Sequence, residues 1–478
     1  MNLLSGALDQ ARSITFLGQT YDVYLNWIGK IIRWLVSGIG IVGVGIILFS
    51  IVLRLVVLPF DIYQRITMSK QNIKMRENKD KLEKLQKQYA NDKQMYNQKM
   101  MEMYKENGIS LFSSCLPMIL SMVIFIVAIN AFNAFSQYSN LQNYNSMVEA
   151  YNGAITPYTA VVDEADISVV TETTGEGEKA YLLFVEEDKC VYFSVPYDNS
   201  IDIADKEAVK TYIEGKDKSY YVDPDKYETI VGTQAVEEYI KANTAEDGTS
   251  VSRAEACARL LEKSAQKNVK KVYGEEIKGK MSFLWIKNIW ETDASYKKPV
   301  LSYSDFKGDL TNSKYINDNG NKAKFSKLVS VSPYNEASYK TVTAELKTEK
   351  KAANGYFILI VLSIGTILLQ QFVSMRSQKD QQKYSTVDGQ GGLNQKTMMI
   401  MMTVMFAIFS FMYSAAFSIY MITSNILSLI TTLIINKLVQ ISLDRKEAQD
   451  LQNKYNNRFP NRSLKGMKAK NNNENKKK

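Results

Sequence analysis

Residues 36–59 read VSGIGIVGVGIILFSIVLRLVVLP, and Arg54 is the one charged residue in this apolar run. A helix of about 20 residues crosses the roughly 30 Å of hydrocarbon in a bilayer. The run therefore predicts a transmembrane helix, which we place at residues 36–60. Over all 478 residues, 45% are hydrophobic and 23% are charged, which indicates that the chain is divided between two environments.

Four further apolar runs predict spans at 110–135, 353–375, 397–414 and 416–437. We therefore expect an all-α polytopic membrane bundle of five transmembrane helices. Between the spans, the sequence predicts a cytoplasmic helical hairpin, an inserted α+β extracytoplasmic domain and a cytoplasmic loop, at 61–109, 136–352 and 376–396. The ends are an extracytoplasmic segment at 1–35 and a basic cytoplasmic tail at 438–478.

The first 33 residues lack the basic start, apolar core and small-residue cleavage site of a signal peptide, so we expect the first apolar run to be retained as a span. Apolar side chains recur at helical spacing between residues 20 and 33, at Val23, Tyr24, Trp27, Ile28, Ile31 and Ile32. This spacing predicts an amphipathic helix at the outer membrane interface. The alternative is a simple extension of the first span.

Charge predicts the orientation of the spans, because short cytoplasmic loops are enriched in Lys and Arg. Residues 61–109, 375–396 and 437–478 together hold 27 basic and 13 acidic residues, whereas 140–352 hold 28 basic and 35 acidic residues. With five spans, this distribution places the N-terminus outside and the C-terminus in the cytoplasm. The predicted location is the bacterial cell membrane.

The sequence excludes histidine-dependent catalytic and metal sites and gives only weak support to a dinucleotide-binding site. The chain has no histidine, which removes Ser-His-Asp and Cys-His catalysis, HExxH peptidases and histidine metal sites. We predict no enzymatic activity, no metal and no cofactor. Gly38, Gly40 and Gly43 fit a dinucleotide-binding pattern, but they lie in an apolar span without a preceding strand, so we interpret them as close-packing glycines. Three cysteines do not form a disulfide framework. Whether Cys190 and Cys257 form a single disulfide stays open.

Local signals predict the elements outside the spans. In the hairpin, the turn is expected near residues 90–92, with Asp92 as N-cap and Gly108 ending the second helix. In the inserted domain, residues 180–185 and 190–195 predict a β-hairpin. Helices are expected at 234–242 and 254–271, the second opened by Ser252 and Glu255 at capping-box spacing. The polar stretch 446–478 is expected to be disordered.

Arg54 lies inside a predicted span, several residues from its cytoplasmic end. A guanidinium in hydrocarbon costs several kcal/mol, so its side chain must face a polar interior or extend to the headgroups. Spacing alone does not separate these two interpretations.

The motifs around Arg54 and in the later spans resemble those of YidC-type membrane protein insertases, the YidC/Oxa/Alb family. The motifs occur in family order: Leu53-Arg54-Leu55, Met68-Ser69-Lys70, 103–108 followed by Cys115-Leu116-Pro117, 283–288, Leu369-Gln370-Gln371 and 419–428. They cover roughly half of the chain, and the five-span count resembles the branch without an extra N-terminal anchor. Two departures concern the shape of the groove: Met421 stands where many members carry tryptophan, and Ser414-Ala415-Ala416 replaces a commoner Pro-Ala-Gly turn.

The resemblance implies a client-binding groove that is polar and open to the cytoplasm and the lipid. Its expected side chains are Arg54, Gln370, Gln371, Asn425 and Met421. Cys115 and Pro117 belong to the family motif of the second span. Met398 and Met402 are candidate client contacts because methionine adapts to varied apolar sequences, although ordinary packing or lipid contact explains them as well.

The implied function is the insertion and folding of nascent membrane proteins through this groove, driven by partitioning of the client's apolar stretch into lipid. The alternative is a transporter or channel component with an anion-attracting arginine, which should show inverted repeats or broken helices. Expected partners are nascent membrane proteins and membrane lipids. The sequence leaves open a role for the Sec translocon, the oligomeric state, and whether the basic tail contacts ribosomal RNA phosphates or anionic lipid.

Overall fold

The computed structural model describes residues 12–106, 112–174, 177–244, 250–377 and 395–458. The chain divides into two compact units. The sheet unit comprises Met1–Lys30, Ala134–Glu291 and Ser295–Gly355, and the helical unit comprises Ile31–Asn133, Thr292–Ala294 and Tyr356–Lys478. Gly108 and most of the predicted loop at 376–396 lie outside the described residues.

Sixteen α-helices lie in the described residues: α1 Trp27–Ile39, α2 Val42–Glu77, α3 Lys79–Gln88, α4 Lys93–Glu106, α5 Phe112–Ile155, α6 Lys206–Ile213, α7 Pro224–Val231, α8 Thr233–Ala242, α9 Arg253–Val272, α10 Lys278–Met281, α11 Tyr303–Asn312, α12 Glu336–Val342, α13 Lys347–Lys351, α14 Ile358–Ser377, α15 Gln395–Met412 and α16 Ala415–Arg458. The strands are β1 Arg12–Ile14, β2 Asp166–Thr174, β3 Gly177–Val185, β4 Val191–Tyr197, β5 Ser219–Val222, β6 Lys314–Ile316 and β7 Lys322–Lys324.

The sheet unit contains a five-stranded antiparallel sheet in the order β1-β5-β4-β3-β2 and a separate β6-β7 pair. The predicted β-hairpin is confirmed, because Leu182 pairs with Val195 and Phe184 with Phe193 across β3 and β4. Apolar side chains on these strands pack against α6 in a cluster that includes Val209 and Ile213. The inserted domain is therefore α+β, as its mixed sequence pattern predicted.

Helix α9 begins as the capping-box spacing predicted. The Ser252 side chain accepts a hydrogen bond from the Glu255 amide at 3.2 Å. Cys257 on this helix and Cys190 before β4 are free thiols, and both are fully buried. Burial raises the pKa of the Cys190 thiol to about 11. The structure therefore shows two buried thiols rather than a disulfide.

The N-terminal segment differs from its prediction, because a helix begins at Trp27 instead of residue 20. Residues 12–26 are not helical and belong to the sheet unit: β1 pairs with β5, and the Leu17 amide donates to Asn152 Oδ1 at 3.0 Å. The Tyr21 amide donates to the Tyr334 hydroxyl at 3.0 Å. These side chains lie far away in the sequence and accept hydrogen bonds from backbone amides that would donate within the segment if it were a helix. Apolar periodicity alone did not indicate such contacts.

The apolar run of the first predicted span is divided between two helices. Helix α1 ends at Ile39, Gly40 has a φ of 77°, and α2 begins at Val42. A left-handed φ suits glycine, so the chain breaks the helix inside the apolar run. Helix α2 then continues through Pro59 to Glu77, beyond the predicted boundary of the hairpin at residue 61.

Helices α3 and α4 form the turn-linked pair expected in the hairpin. Asp92 Oδ1 accepts from the Met95 amide at 2.9 Å, so Asp92 caps α4 as predicted. The pair buries Leu82 and four side chains of α4, Tyr96, Met100, Met103 and Tyr104.

Two stretches of the described residues are long and apolar enough to cross a membrane by length and composition, Val42–Tyr63 and Ala415–Leu438. Ile358–Ser374 and Thr403–Met412 are shorter apolar stretches. Helices α5, α14 and α15 overlap the predicted spans at 110–135, 353–375 and 397–414. The expectation of disorder from residue 446 is wrong as far as residue 458, because α16 continues to Arg458. Residues there such as Lys, Glu, Gln and Ala have high helix propensity.

Candidate functional site

Arg54 forms an ion pair with Asp61 on the same helix, α2. Arg54 Nη2 lies 2.6 Å from Asp61 Oδ2, and the two side chains are 17% and 11% exposed. Residues seven apart face the same side of a helix, so the pair spans two turns across Pro59. Within the described part of the chain, Arg54 Nε is buried and has no hydrogen-bond partner. The guanidinium thus keeps a spare donor beside its carboxylate partner.

Tyr420 on α16 lies close enough to Arg54 for an electrostatic interaction, and its hydroxyl bonds with the side chain of Ser424. Tyr420 is buried. Helices α2 and α16 pack against each other. Arg54 therefore faces polar groups of α16 in addition to Asp61, as the polar-interior interpretation of Arg54 requires.

Helices α14 and α16 are joined by a polar seam, which we define as Thr366, Gln370, Asn425 and Ser428. Gln370 Nε2 donates to Ser428 Oγ at 3.0 Å. Asn425 Nδ2 donates to Thr366 Oγ1 at 3.5 Å. Such hydrogen bonds within an apolar bundle contribute about 0.6 kcal/mol each on average. The seam brings together two of the predicted groove residues, Gln370 and Asn425.

Gln371 points to a different helix from Gln370. Its Oε1 accepts from the Thr403 hydroxyl of α15 at 2.9 Å. A second polar contact between α14 and α15 joins the hydroxyls of Ser363 and Ser410 at 3.1 Å. The two neighbouring glutamines therefore hold α14 to two separate partners, and Gln371 is not part of the polar seam.

The start of α14 is fixed by Asp293, a fully buried residue of the helical unit. Asp293 Oδ1 accepts from the Tyr356 amide at 2.7 Å, and Oδ2 accepts from the Leu359 amide at 2.6 Å. A carboxylate at a helix N-terminus satisfies free amides and interacts favourably with the helix dipole. Next to it, the Thr292 hydroxyl donates to the Tyr413 carbonyl after α15 at 3.0 Å. This short segment therefore contacts the start of α14, which carries both glutamines, and the end of α15.

The remaining predicted residues fall into two groups. Met421 is 5% exposed, so it packs inside the helical unit. Cys115 and Pro117 lie on α5, and Met398 and Met402 lie on α15, but their side chains are outside the described part of the structure. Their roles stay predictions.

The site presents hydrogen-bond donors and acceptors from three helices, α2, α14 and α16. No cluster of three or more acidic or cysteine side chains that could hold a metal occurs among the described residues. One cation, its carboxylate partner, two amides and several hydroxyls can bind polar segments by charge and hydrogen bonding. Such groups let a polar chain segment lose water without losing all of its hydrogen bonds.

Sequence reasoning missed Asp61, Tyr420 and Ser428 as members of this site. For Asp61 a signal existed, since it follows Arg54 by seven residues, but the predicted span ended at residue 60. For Ser428 and Tyr420, spacing by multiples of four along α16 marks one helix face. That pattern does not say which neighbouring helix the face meets.

The family model for the 60Kd inner membrane protein matches residues 34–162 and 272–443, which is more than half of the chain. The chain belongs to the 60Kd inner membrane protein family. It is therefore a membrane protein, in agreement with the apolar stretches of α2 and α16. Residues 163–271 lie between the two matched stretches, and they contain β2 to β5 and most of α9.

Curated relatives resemble shorter parts of the chain. Membrane protein insertase YidC of Caldanaerobacter subterraneus subsp. tengcongensis is 36% identical over 98 residues, which are 20% of this chain and 46% of that protein. The protein of the same name in Clostridium perfringens is 39% identical over 99 residues, which are 20% of this chain and 40% of that protein. The protein of the same name in Fusobacterium nucleatum is 30% identical over 104 residues, which are 22% of this chain and 49% of that protein. Each match spans less than half of the relative's length. No solved structure matches the chain.

Proposed function

We propose that this protein is a membrane protein insertase and chaperone, which inserts nascent membrane proteins through a polar path in its helical unit. The observation that carries the proposal is Arg54, a cation held mostly buried in an apolar helix among polar groups. A buried cation is costly unless its charge is used. Membership in the family and the names of the relatives support the same function.

In this proposal the polar seam and Arg54 bind the polar or acidic segment of a client while the client's apolar stretch moves into lipid. Arg54 acts by electrostatic attraction and by hydrogen bonds from its planar guanidinium. Gln370 and Asn425 exchange their present partners for client backbone or side-chain groups. Burial of the client's apolar surface supplies the driving free energy, so no nucleotide hydrolysis is needed.

We also propose that the protein has five spans, formed by parts of α2, α5, α14, α15 and α16, with the N-terminus outside and the hairpin α3–α4 in the cytoplasm. The excess of basic residues in the short segments supports this orientation. The sheet unit is then extracytoplasmic. On α1, Trp27, Ile31 and Trp34 are exposed on one helix face, which suits an interfacial helix at the outer surface.

Depletion of the protein tests the insertase function directly. Small membrane proteins with one or two spans are synthesised in depleted cells, and insertion is measured by protease protection. We expect insertion to fall and to be restored by the parent protein expressed from a plasmid. Normal insertion of every client in cells that hold no second member of the family would contradict the proposal.

Substitutions of Arg54 test its role in the same assay. We expect Arg54→Lys to retain the most activity, because it keeps the charge, and Arg54→Glu to lose more than Arg54→Ala, because it reverses the charge. Clients with acidic translocated tails should be affected first. Protein amount and protease resistance are measured for each variant, because a new unpaired charge also destabilises a helix bundle. Stable Arg54→Glu protein that inserts acidic-tailed clients as well as the parent would place Arg54 outside the client path.

The basic tail is proposed to contact ribosomal RNA phosphates, with the Sec translocon as a further candidate partner. Phosphate contacts weaken as salt rises, because they release counterions. Removal of residues 446–478 should therefore weaken ribosome association more at low salt than at high salt. Equal binding of truncated and intact protein across a salt series would assign the tail to anionic lipid instead.

A further inference from the structure

The cation of the proposed client path already has an anionic partner in the structure. Arg54 and Asp61 are joined by a 2.6 Å contact, and both side chains are largely buried. A guanidinium and a carboxylate at this distance form a pair without net charge. An incoming acidic segment therefore meets a guanidinium that already has a carboxylate partner rather than an isolated positive charge.

Pairing changes what a client carboxylate gains by approaching Arg54. A buried lone guanidinium would attract any carboxylate strongly, because burial leaves its charge uncompensated. With Asp61 in place, the client carboxylate must displace Asp61 or share the guanidinium with it. Asp61 is on the same helix, so its local concentration near Arg54 is high and a single client carboxylate competes poorly.

Arg54 nevertheless retains capacity for a second acceptor. Its Nε is buried and has no hydrogen-bond partner among the described residues, and Tyr420 interacts with the same guanidinium. Several carboxylates arriving together can use the spare donor and compensate for the contact that Asp61 loses.

We propose that Asp61 is a specificity-determining residue, which competes with the client for Arg54 and so sets how many acidic residues a client segment needs before Arg54 captures it. This inference rests on the proposed insertase function. Clients without acidic residues bring no carboxylate to compete with Asp61, so their insertion does not depend on it. A client with one acidic residue does not displace Asp61 from Arg54, whereas a client with several acidic residues does.

The test uses purified full-length protein in liposomes and a set of single-span clients that differ only in the translocated tail, with none, one or several acidic residues. The protease-protected fraction of each client is measured. For the parent protein, one acidic residue should give insertion close to that of the acid-free tail, and several should raise it. For Asp61→Asn, insertion of the one-acid client relative to the acid-free client should rise roughly two- to fivefold.

Two controls separate competition from structural support. Asp80→Asn removes the same charge from an exposed position on α3 and should leave the ratio at the parent value. Arg54→Ala should remove the dependence on acidic residues altogether. Thermal unfolding of each variant is measured alongside, because loss of one partner of a buried pair is destabilising.

Each outcome decides between the proposals. An unchanged ratio in Asp61→Asn, or an equal loss for all clients, would overturn the role of Asp61 and leave the insertase function standing. If the parent inserts none of the clients, the insertase function itself fails. If Asp61→Asn does not fold, the parent protein alone still tests the proposal. Insertion of the one-acid client at the level of the several-acid client would contradict competition by Asp61.

Discussion

At the scale of single residues, Glu291 and Asp309 are partly buried carboxyl groups of the sheet unit. Burial raises the pKa of Glu291 to about 7, although Lys297 Nζ lies 3.5 Å from its Oε2. Burial also raises the pKa of Asp309 to about 6, and Asn140 Nδ2 donates to its Oδ2 at 2.9 Å. Asp305, 3.4 Å from the same lysine Nζ, and the buried Tyr339 also belong to this cluster, and Tyr273 interacts with Tyr339.

These raised pKa values predict that the sheet unit loses stability as pH rises. Below pH 4.5, the ordinary pKa of glutamate, Glu291 is protonated in both the folded and the unfolded state and has no effect. Above it the unfolded state ionises first, so the free energy of unfolding falls until the pH passes about 7. Over this pH range, we expect Glu291→Gln to reduce the fall in the free energy of unfolding by up to roughly 3 kcal/mol.

The measurement is denaturant unfolding of the purified protein in detergent across a pH series. Hydrogen exchange of amides in the sheet unit reports the loss locally. Glu237→Gln, at an exposed position of α8, controls for removal of one acidic side chain. A parent-like pH slope in Glu291→Gln would show that another group causes the loss.

At the scale of helices, the contact between α1 and α2 depends on one glycine. A Cβ atom at Gly45 would lie 2.8 Å from Val36 Cα, which is backbone and cannot move aside cheaply. A Cβ at Gly38 would meet nothing within 4 Å, and Gly40 serves the break between the helices. Of the three glycines predicted to pack closely, Gly38 therefore has no close neighbour, whereas Gly43 is buried in α2. Gly45, outside that motif, makes the close contact with α1.

We predict that Gly45→Ala pushes α1 and α2 apart and lowers stability by about 1–3 kcal/mol, the usual cost of overpacking. Gly38→Ala is the matched control and should be neutral or slightly stabilising, because alanine favours a helix over glycine by about 1 kcal/mol. Thermal unfolding in detergent and protein abundance in cells measure both. Equal stability of the two variants would mean that α1 does not pack against Gly45 in the membrane.

At the scale of the whole molecule, the burial of Cys190 and Cys257 makes both poor reporters of topology. Exposed positions are available in both units: Thr244 after α8 in the sheet unit, and Asn91 between α3 and α4. We expect Thr244→Cys to react with a membrane-impermeant maleimide in intact protoplasts. Asn91→Cys should react only after lysis, and the parent protein gives the background. The reverse pattern would invert the proposed orientation.

Much of this protein is determined by the sequence alone, because the responsible interactions are local. The apolar runs, the hairpin of β3 and β4, and the caps at Ser252 and Asp92 each depend on residues close together in the chain. Asp61 was within reach of the same reasoning, because positions seven apart share a helix face. It was missed because the predicted helix stopped at residue 60, whereas α2 continues to Glu77.

Other features were decided by tertiary structure. Adjacent residues of a helix point about 100° apart, so the sequence shows that Gln370 and Gln371 differ in direction but not which one meets α16. Packing assigns Gln370 to Ser428 and Gln371 to Thr403. Likewise, apolar spacing predicts a helix over residues 20–33, yet none of residues 12–26 is helical. Partners more than a hundred residues away, such as Asn152 and Tyr334, bond their backbone, and no local pattern encodes contacts at that separation.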